Sequence, residues 1–275
     1  MGQHPVFELF TRSQPFDCDL GHVNFMGARV AHEFEGVLRP GLRASGRSVE
    51  YSGTYPAASE DYFEWIDLLT AIRRCDGRFV MFEVGAGYGR WIANAAAALR
   101  RFGGPVIGSV RLVALEASRK RFEMLVQNCE ANGIMEADRE LHHAACAVGF
   151  EAAGIPENGD FGAGVFASKC LDLDAVPVVR LADLIDEPVD FLDMDIQGAE
   201  ADVLPDSIDS LNKFVKLLHV GTHGPHIEEL IYNLLTNNGW RCRGRFRGQS
   251  LTQTPFGEVN FIDGIESWEN PRLMR

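Results

Sequence analysis

Residues 78–89 read RFVMFEVGAGYG, and this stretch organises the rest of the chain. The apolar run from Phe79 to Val84 is typical of a strand that is buried on both faces. Three glycines follow at once, and the alanine-rich stretch Trp91–Leu99 after them predicts a helix. Glycines let the backbone approach a ligand, and a helix N-terminus offers unpaired N–H groups, so this unit predicts a cofactor-binding turn.

The spacing of the glycines distinguishes between the cofactors that such a turn can bind. A dinucleotide fingerprint is G-x-G-x-x-G, and counting from Gly85 and Gly87 places Arg90 where the third glycine belongs. The observed E-x-G-x-G-x-G pattern instead resembles motif I of the S-adenosylmethionine (SAM) dependent methyltransferases. Because glycine makes up 28 of the 275 residues, the argument depends on the flanking strand, helix and acidic residue as well. The predicted cofactor-binding residues of this turn are Glu83, Gly85, Ala86, Gly87 and Gly89.

Strands and helices alternate along residues 59–275, which we interpret as one cofactor-binding domain. The alternation predicts an α/β fold with a doubly wound, mostly parallel seven-stranded sheet. Besides the first strand, strands are predicted at 110–115, 141–148, 190–196, 215–220, 240–247 and 257–265.

Residues 1–58 show no sustained periodicity and are interpreted as an N-terminal extension. Such an extension could be a lid, or an arm that contacts a substrate or partner. Tyr55 is the residue of this extension that we expect to contact substrate.

The formal net charge of −13 argues against binding to nucleic acid or to an anionic membrane, because phosphate binding requires clustered Lys and Arg. One basic run, from Arg241 to Arg247, alternates with period two and predicts the solvated face of a strand. The six cysteines are scattered, and neither a signal peptide nor an apolar run of membrane-spanning length is recognised. We therefore expect a cytoplasmic protein with a small-molecule partner, and a homo-oligomer is compatible with this composition.

Polar residues follow the predicted strands, where ligands bind in open α/β sheets. Glu116 ends the second strand about 27 residues after the glycine turn, and a carboxylate there can accept both hydroxyls of a ribose. This position suits NAD as well as SAM. Small residues after the third strand, including Ala145, are expected near an adenine.

The fourth and fifth strands end in further candidates. Asp193 and Asp195 share one face of a strand, where two carboxylates are costly unless they are paired, hydrogen-bonded or bound to a metal. A structural pair or a helix cap is the alternative to a functional role. His219 and His223 also share a face if the chain stays extended.

Three stretches together, EVGAGYG, DFLDMDIQGAE and LLHVGTHGPHIEEL, resemble the FkbM-type SAM-dependent methyltransferases. The resemblance covers roughly residues 76–239. Its most family-specific element is D-x-x-G-A-E, which runs here from Asp195 to Glu200. The family usually reads K-x-D-x-E-G-A-E, so Asp193 stands in place of a lysine and Gln197 in place of a glutamate.

The resemblance implies a class I methyltransferase-like fold, SAM as cofactor and S-adenosyl-L-homocysteine as product. It also implies O-methylation of a hydroxyl on a small molecule, such as a sugar or a polyketide intermediate. A D/N-P-P-Y/F motif for stacking a planar base is absent after the fourth strand, which disfavours methylation of bases.

Methyl transfer to an alcohol requires positioning and loss of the hydroxyl proton. We expect His223 to be the base with His219 in support, while Asp195 and Glu200 border the acceptor pocket. Asp195 is also counted among the catalytic and cofactor-binding residues.

Three alternatives stay open at this point. A divalent cation could be held by Asp193, Asp195, Glu200, His219 and His223, although no metal is the favoured expectation. An NAD(P)-dependent oxidoreductase is disfavoured by the glycine spacing and by the lack of a recognisable Tyr-x-x-x-Lys pair. A non-catalytic SAM-binding protein on the same fold is the third.

Overall fold

The strands of the protein are short near the N-terminus and longer from residue 78 onward. The computed structural model describes residues 2–14, 21–31, 34, 50–51, 53–105, 107–149, 152–156, 166–167 and 173–274. In chain order its strands are β1 (His22–Val23), β2 (Arg29–Val30), β3 (Glu50–Tyr51), β4 (Arg78–Val84), β5 (Ser109–Glu116), β6 (Arg139–His143), β7 (Ala145–Cys146), β8 (Ala152–Pro156), β9 (Phe166–Ala167), β10 (Leu173–Val179), β11 (Val189–Met194), β12 (Val215–Thr222), β13 (Arg241–Phe246), β14 (Ser250–Thr254), β15 (Gly257–Phe261) and β16 (Gly264–Glu269).

The helix predicted at 91–99 is observed at Arg90–Leu99. Proline occupies the first turn of the last helix, where its missing N–H leaves no hydrogen bond unmade. The α-helices with described bounds are α1 (Glu60–Arg74), α2 (Arg90–Leu99), α3 (Arg119–Ala131), α4 (Leu181–Leu184), α5 (Glu200–Phe214) and α6 (Pro225–Asn237). Shorter 3-10 turns span Pro5–Leu9 and Glu136–Asp138.

Seven strands form the central sheet, in the order β13-β16-β12-β11-β4-β5-β6. Neighbouring strands from β12 to β6 are parallel, whereas β16 runs antiparallel to both β12 and β13. The predicted doubly wound, mostly parallel seven-stranded sheet is therefore confirmed, with the order of a class I methyltransferase-like fold.

Each central strand sends alternating side chains to two apolar cores. Phe79 and Met81 pack with α1, α2 and α3 on one face, while Val80 and Phe82 pack with α4, α5 and α6 on the other. Because both faces are covered, an uninterrupted apolar run is what such a strand requires. Glu83 breaks that run, and it lies on the α1 face.

Two strand predictions differ from the structure. The third strand is shorter than 141–148: β6 ends at His143, and β7 leaves the central sheet to pair with β10. The stretch 257–265 does not close the sheet, because β15 forms a hairpin with β14 and the closing strand is β16. Aromatic packing explains the hairpin, since Phe256 and Phe261 lie against Phe63 of α1.

The alternating arginines of β13 are only partly solvated. Arg241 and Arg247 have exposed side chains, but those of Arg243 and Arg245 are 20% and 21% exposed. Arg243 Nη1 lies 3.0 Å from Asp67 Oδ1 of α1. The run is thus an ion-paired strand that ties the sheet edge to a helix.

The described part of the N-terminal extension packs on the α1 face of the sheet. Phe7 and Phe10 are buried in the same core as α1 and α2, and the ring of Tyr55 contacts Phe7 and Phe25. Cys18 and Cys170, and most of residues 149–173, lie outside the described residues. Among the helices described, none combines the length and the apolarity needed to cross a membrane.

Candidate active site

The glycine turn lies directly against the end of the neighbouring strand. Gly85 has a φ of 86°, and a Cβ atom on it would lie 1.8 Å from the carbonyl oxygen of Asp195. The backbone N–H groups of Gly85 and Ala86 both donate to the carbonyl of Leu115, at 3.0 and 2.9 Å. Only glycine fits this position, and its backbone is exposed where the ends of β4 and β11 meet. Ligands bind at this edge in open α/β sheets, and we call it the cleft.

Glu83 holds the helix that follows the glycine turn. Its two carboxyl oxygens accept hydrogen bonds from the backbone N–H groups of Trp91, at 3.0 Å, and Ile92, at 2.8 Å. Burial, with the nearby charge of Asp193, raises the pKa of Glu83 to about 8. The N–H groups that bind a pyrophosphate in dinucleotide folds are here occupied by a side chain of the protein.

Glu116, the last residue of β5, stabilises the same turn. It accepts hydrogen bonds from the N–H groups of Gly87 and Ser118, both at 2.7 Å. Burial raises the pKa of Glu116. The carboxylate therefore lies beside the glycine turn at the strand end, and it has lone pairs that these two hydrogen bonds do not use.

Ala145 is buried in β7, where it packs with Ala117 and Val176. Ala117 directly follows Glu116, so the predicted adenine-side residue lies close to the end of β5. Gly89 initiates α2 with a φ of 74°, and a Cβ atom there would lie 2.3 Å from Leu125 of α3. Gly89 thus allows the close packing of α2 and α3.

Beneath the cleft, a row of polar residues crosses the sheet on the α1 face. Glu83, Asp193 and His219 are register neighbours on β4, β11 and β12. Asp193 shares a hydrogen bond with Glu64 of α1, and burial raises the pKa of both carboxyl groups. A proton held between the two explains how a carboxyl group is accommodated in this apolar strand.

His219 belongs to this row and is tied to α1. Its Nδ1 lies 2.9 Å from Oδ2 of Asp67, and both side chains are almost fully buried. Burial lowers the pKa of His219, but the Asp67 carboxylate outweighs it, and the pKa is raised overall. Because β12 ends at Thr222, His223 leaves the strand and does not join His219.

His223 lies between two carboxylates at the mouth of the cleft. Its Nδ1 is 3.1 Å from Oε1 of Glu200, and its Nε2 is 3.3 Å from Oδ1 of Asp195. Burial opposes the charged ring, but the two carboxylates raise the pKa of His223 to about 10. In the protein alone the ring is therefore an imidazolium at neutral pH, and acting as a base requires that this proton leaves first.

The two carboxylates beside His223 differ in burial: Glu200 is buried, and Asp195 is exposed. Glu200 is fully buried and accepts hydrogen bonds from the N–H groups of Ile196 and Gly198, both at 2.8 Å. The Asp195 side chain is 55% exposed and accepts a hydrogen bond from Gln197 at 2.8 Å. Asp195 is therefore the solvent-accessible carboxylate of the two.

The family profile described as the methyltransferase FkbM domain matches residues 83–239, more than half of the chain. The chain belongs to this family. A protein of Jannaschia sp. (strain CCS1), named as a candidate methyltransferase, is 24% identical over 265 residues, covering 91% of this chain and 92% of that protein.

Two solved structures are similar at low sequence identity. The FkbM methyltransferase of Methylobacillus flagellatus KT has a TM-score of 0.47 and 15% identity, over 70% of this chain and 44% of that chain, so this chain spans less than half of that protein. An O-methyltransferase of Bacillus cereus in complex with SAH has a TM-score of 0.43 and 15% identity, over 86% and 89% of the two chains.

Asp193 and Gln197 differ from the usual FkbM sequence, and the two residues lie in different surroundings. Asp193, in place of lysine, finds a carboxyl partner in Glu64. Gln197, in place of glutamate, has a φ of 56° in the turn before α5 and donates to Asp195. Neither substitution disturbs Glu200, which still holds the turn.

Sequence reasoning missed Asp263, on the loop that leads into β16. Glu60 of α1 accepts hydrogen bonds from the backbone N–H groups of Ile262 and Asp263, the latter at 3.3 Å, and so fixes this loop. Burial raises the pKa of Asp263, the charge of His223 lowers it, and the charges of Asp195 and Glu200 raise it further. The Asp-Gly pair at 263–264 signals only a turn.

Tyr55 is not part of this group. It makes ring contacts with Phe7 and Phe25 and donates a hydrogen bond to the carbonyl of Phe7 at 3.5 Å. Among the described residues, it forms no hydrogen bond or ring contact with Asp195 or His223.

Replacing Gly85 by Ala should destabilise the protein far more than the same change at Gly77. The two glycines have similar positive φ values, 86° and 82°, but nothing lies within 4 Å of a Cβ atom on Gly77. Gly77→Ala should lower the free energy of unfolding by about 1 kcal/mol, and Gly85→Ala by roughly 1–3 kcal/mol more. Urea unfolding of both variants measures the difference, and equal losses would contradict the close approach to Asp195.

The unliganded protein should be less stable at pH 8.5 than at pH 5.5. The pKa of Glu83 is about 8 in the folded protein. Between the ordinary pKa of a glutamate and pH 8, the folded state therefore binds more protons than the unfolded state, and the free energy of unfolding falls as pH rises. The raised pKa of His219 has the same sign. One such group contributes at most about 1.4 kcal/mol per pH unit.

Scanning calorimetry across this range tests the expectation. Glu83→Gln should reduce the slope, whereas Glu140→Gln, which removes a carboxylate whose pKa is lowered by Arg111 and His142, should leave it unchanged. Burial acts in the opposite direction on Glu140 and is outweighed. A melting temperature that does not fall with pH, or equal slopes for the two variants, would refute the assignment.

Proposed function

We propose that this FkbM family member is a SAM-dependent methyltransferase that acts on a hydroxyl group of a small molecule. The observation that carries the choice of cofactor is the hydrogen bonding of Glu83 to the N-terminus of α2. With Trp91 and Ile92 N–H groups already paired, this helix offers them to no phosphate. SAM has no phosphate, whereas a dinucleotide has two.

The residues around the cleft fit a SAM molecule. Gly85 presents exposed backbone with no room for a side chain, which suits the amino-acid end of the cofactor. Glu116, beside the turn, would accept the ribose hydroxyls, and Ala86 and Ala145 would leave space for the nucleoside. When bound, SAM supplies an electrophilic methyl group on a sulfonium.

The acceptor is proposed to bind at the exposed end of the Asp195–His223–Glu200 group. Glu200 orients the imidazole through Nδ1, so that Nε2 faces the side of Asp195. His223 assists loss of the hydroxyl proton, with Asp195 beside it. His219 acts only through the packing of the row beneath, because it is bonded to Asp67.

A small acceptor suits the charge of this site better than a nucleic acid does. The carboxylates of Asp195 and Asp263 would repel a phosphate backbone, and the whole chain carries a net charge of −13. The N-terminal extension, including Tyr55, packs on the α1 face and is proposed to support that face rather than to touch the acceptor.

Calorimetric titration with SAM, S-adenosylhomocysteine and NAD(P)H tests the cofactor. We expect micromolar binding of the first two and no heat from the nucleotides. Binding of NAD(P)H alone would reverse the proposal and favour an oxidoreductase. Binding of SAM with no turnover in a broad screen of hydroxylated acceptors would favour a non-catalytic binding protein.

His223→Ala tests the acceptor side. Because His223 lies on the side of the cleft away from Glu116, SAM affinity should stay within threefold of the wild type. Turnover of the first acceptor found in the screen should fall at least about 100-fold. His226→Ala is the matched control, since His226 is exposed in the first turn of α6, and it should change neither quantity. Unchanged turnover in His223→Ala would contradict the proposal that His223 assists loss of the hydroxyl proton.

A further inference from the structure

A buried nitrogen atom without a hydrogen bond lies at the acceptor side of the cleft. Nε2 of His223 is inaccessible to solvent. In the present orientation of the ring this atom forms no hydrogen bond, although Oδ1 of Asp195 is only 3.3 Å away. Buried polar atoms are rarely left without a partner in proteins. A ring nitrogen beside a carboxylate oxygen is a donor pair that divalent cations accept.

Glu200 has the position of the carboxylate that supports a metal-binding histidine. It faces Nδ1 of His223 at 3.1 Å, while its oxygens accept the N–H groups of Ile196 and Gly198. Histidines that bind metals almost always donate their second ring N–H to a carboxylate or carbonyl, which fixes the ring. Donor atoms of Asp195, Glu200 and His223 lie within 4.8 Å of one another.

The local charge is negative even with a positively charged imidazole, and a cation would take the place of the ring proton at Nε2. Asp195 and Glu200 lie against a single imidazole, and Asp263 is a third carboxylate whose pKa is influenced by that ring. Within the described ranges, none of these three carboxylates forms an ion pair with a lysine or an arginine. By contrast, Asp193 and His219 are already partnered by Glu64 and Asp67 on the α1 face, which removes them from any such site.

We propose that Asp195 and His223 bind one divalent cation of the Mn²⁺ or Mg²⁺ type, with Glu200 orienting the imidazole and Asp263 adding negative charge. The half-exposed side of Asp195 leaves room for water ligands, which such cations usually retain. The position of the site rests on the structure alone, and its use rests on the proposed function. With the cation bound, His223 is a ligand and not the base: an acceptor hydroxyl bound to the cation would have a lowered pKa and could release its proton to water.

Mn²⁺ is the probe, because its electron paramagnetic resonance signal is lost on binding. The full-length protein is treated with EDTA, dialysed and titrated with Mn²⁺, with Mg²⁺, Ca²⁺ and Zn²⁺ as competitors. We expect one Mn²⁺ per chain with micromolar affinity. Asp195→Asn and His223→Gln should each weaken binding at least tenfold, and His226→Gln, the exposed matched control, should not.

Each result has one meaning. Absence of stoichiometric binding, or binding that survives in both Asp195→Asn and His223→Gln, would overturn the proposal. Circular dichroism of each variant separates loss of a ligand from loss of fold. SAM titration on the same samples separates this proposal from the proposed function: methyl transfer that persists after chelation would reject the cation alone, whereas Mn²⁺ binding without SAM binding would reject the methyltransferase assignment alone.

Discussion

Buried glutamates that accept backbone N–H groups hold the functional edge of this sheet together. Glu83 binds the start of α2, Glu116 binds the glycine turn, and Glu200 binds the turn before α5. A buried carboxyl group without such partners would be strongly unfavourable. Each pair of hydrogen bonds therefore fixes a loop at the carboxyl ends of the strands. Every other feature of the site, from the glycine approach to the setting of His223, depends on these three loops staying in place.

Much of this architecture could be predicted from the sequence because its causes are local. The apolar run before Gly85 requires a strand covered on both faces, and the alternation of strands and helices supplies helices for both faces. Gly85 and Glu116 were found because a turn and a strand end are visible in sequence. The family resemblance and the strand order agree on the same fold.

The rest depended on contacts between distant parts of the chain. His219 and His223 are four residues apart, yet β12 ends between them. His219 pairs with Asp67 of α1, whereas His223 pairs with Glu200 of α5. Glu64 joins Asp193 from about 130 residues earlier, and no periodicity encodes that pairing. The closing strand was misplaced because an aromatic hairpin, β14–β15, reads as a strand of the sheet.

Asp263 comes from a different part of the chain than the other residues of the candidate site. The glycine turn, Asp195, Glu200 and His223 all lie inside the segment that matches the family, residues 83–239. Asp263 lies beyond it, on the return from the β14–β15 hairpin, and is anchored by Glu60, which precedes it. A change in the length of the β14–β15 hairpin would therefore move Asp263 without altering any residue of the shared segment.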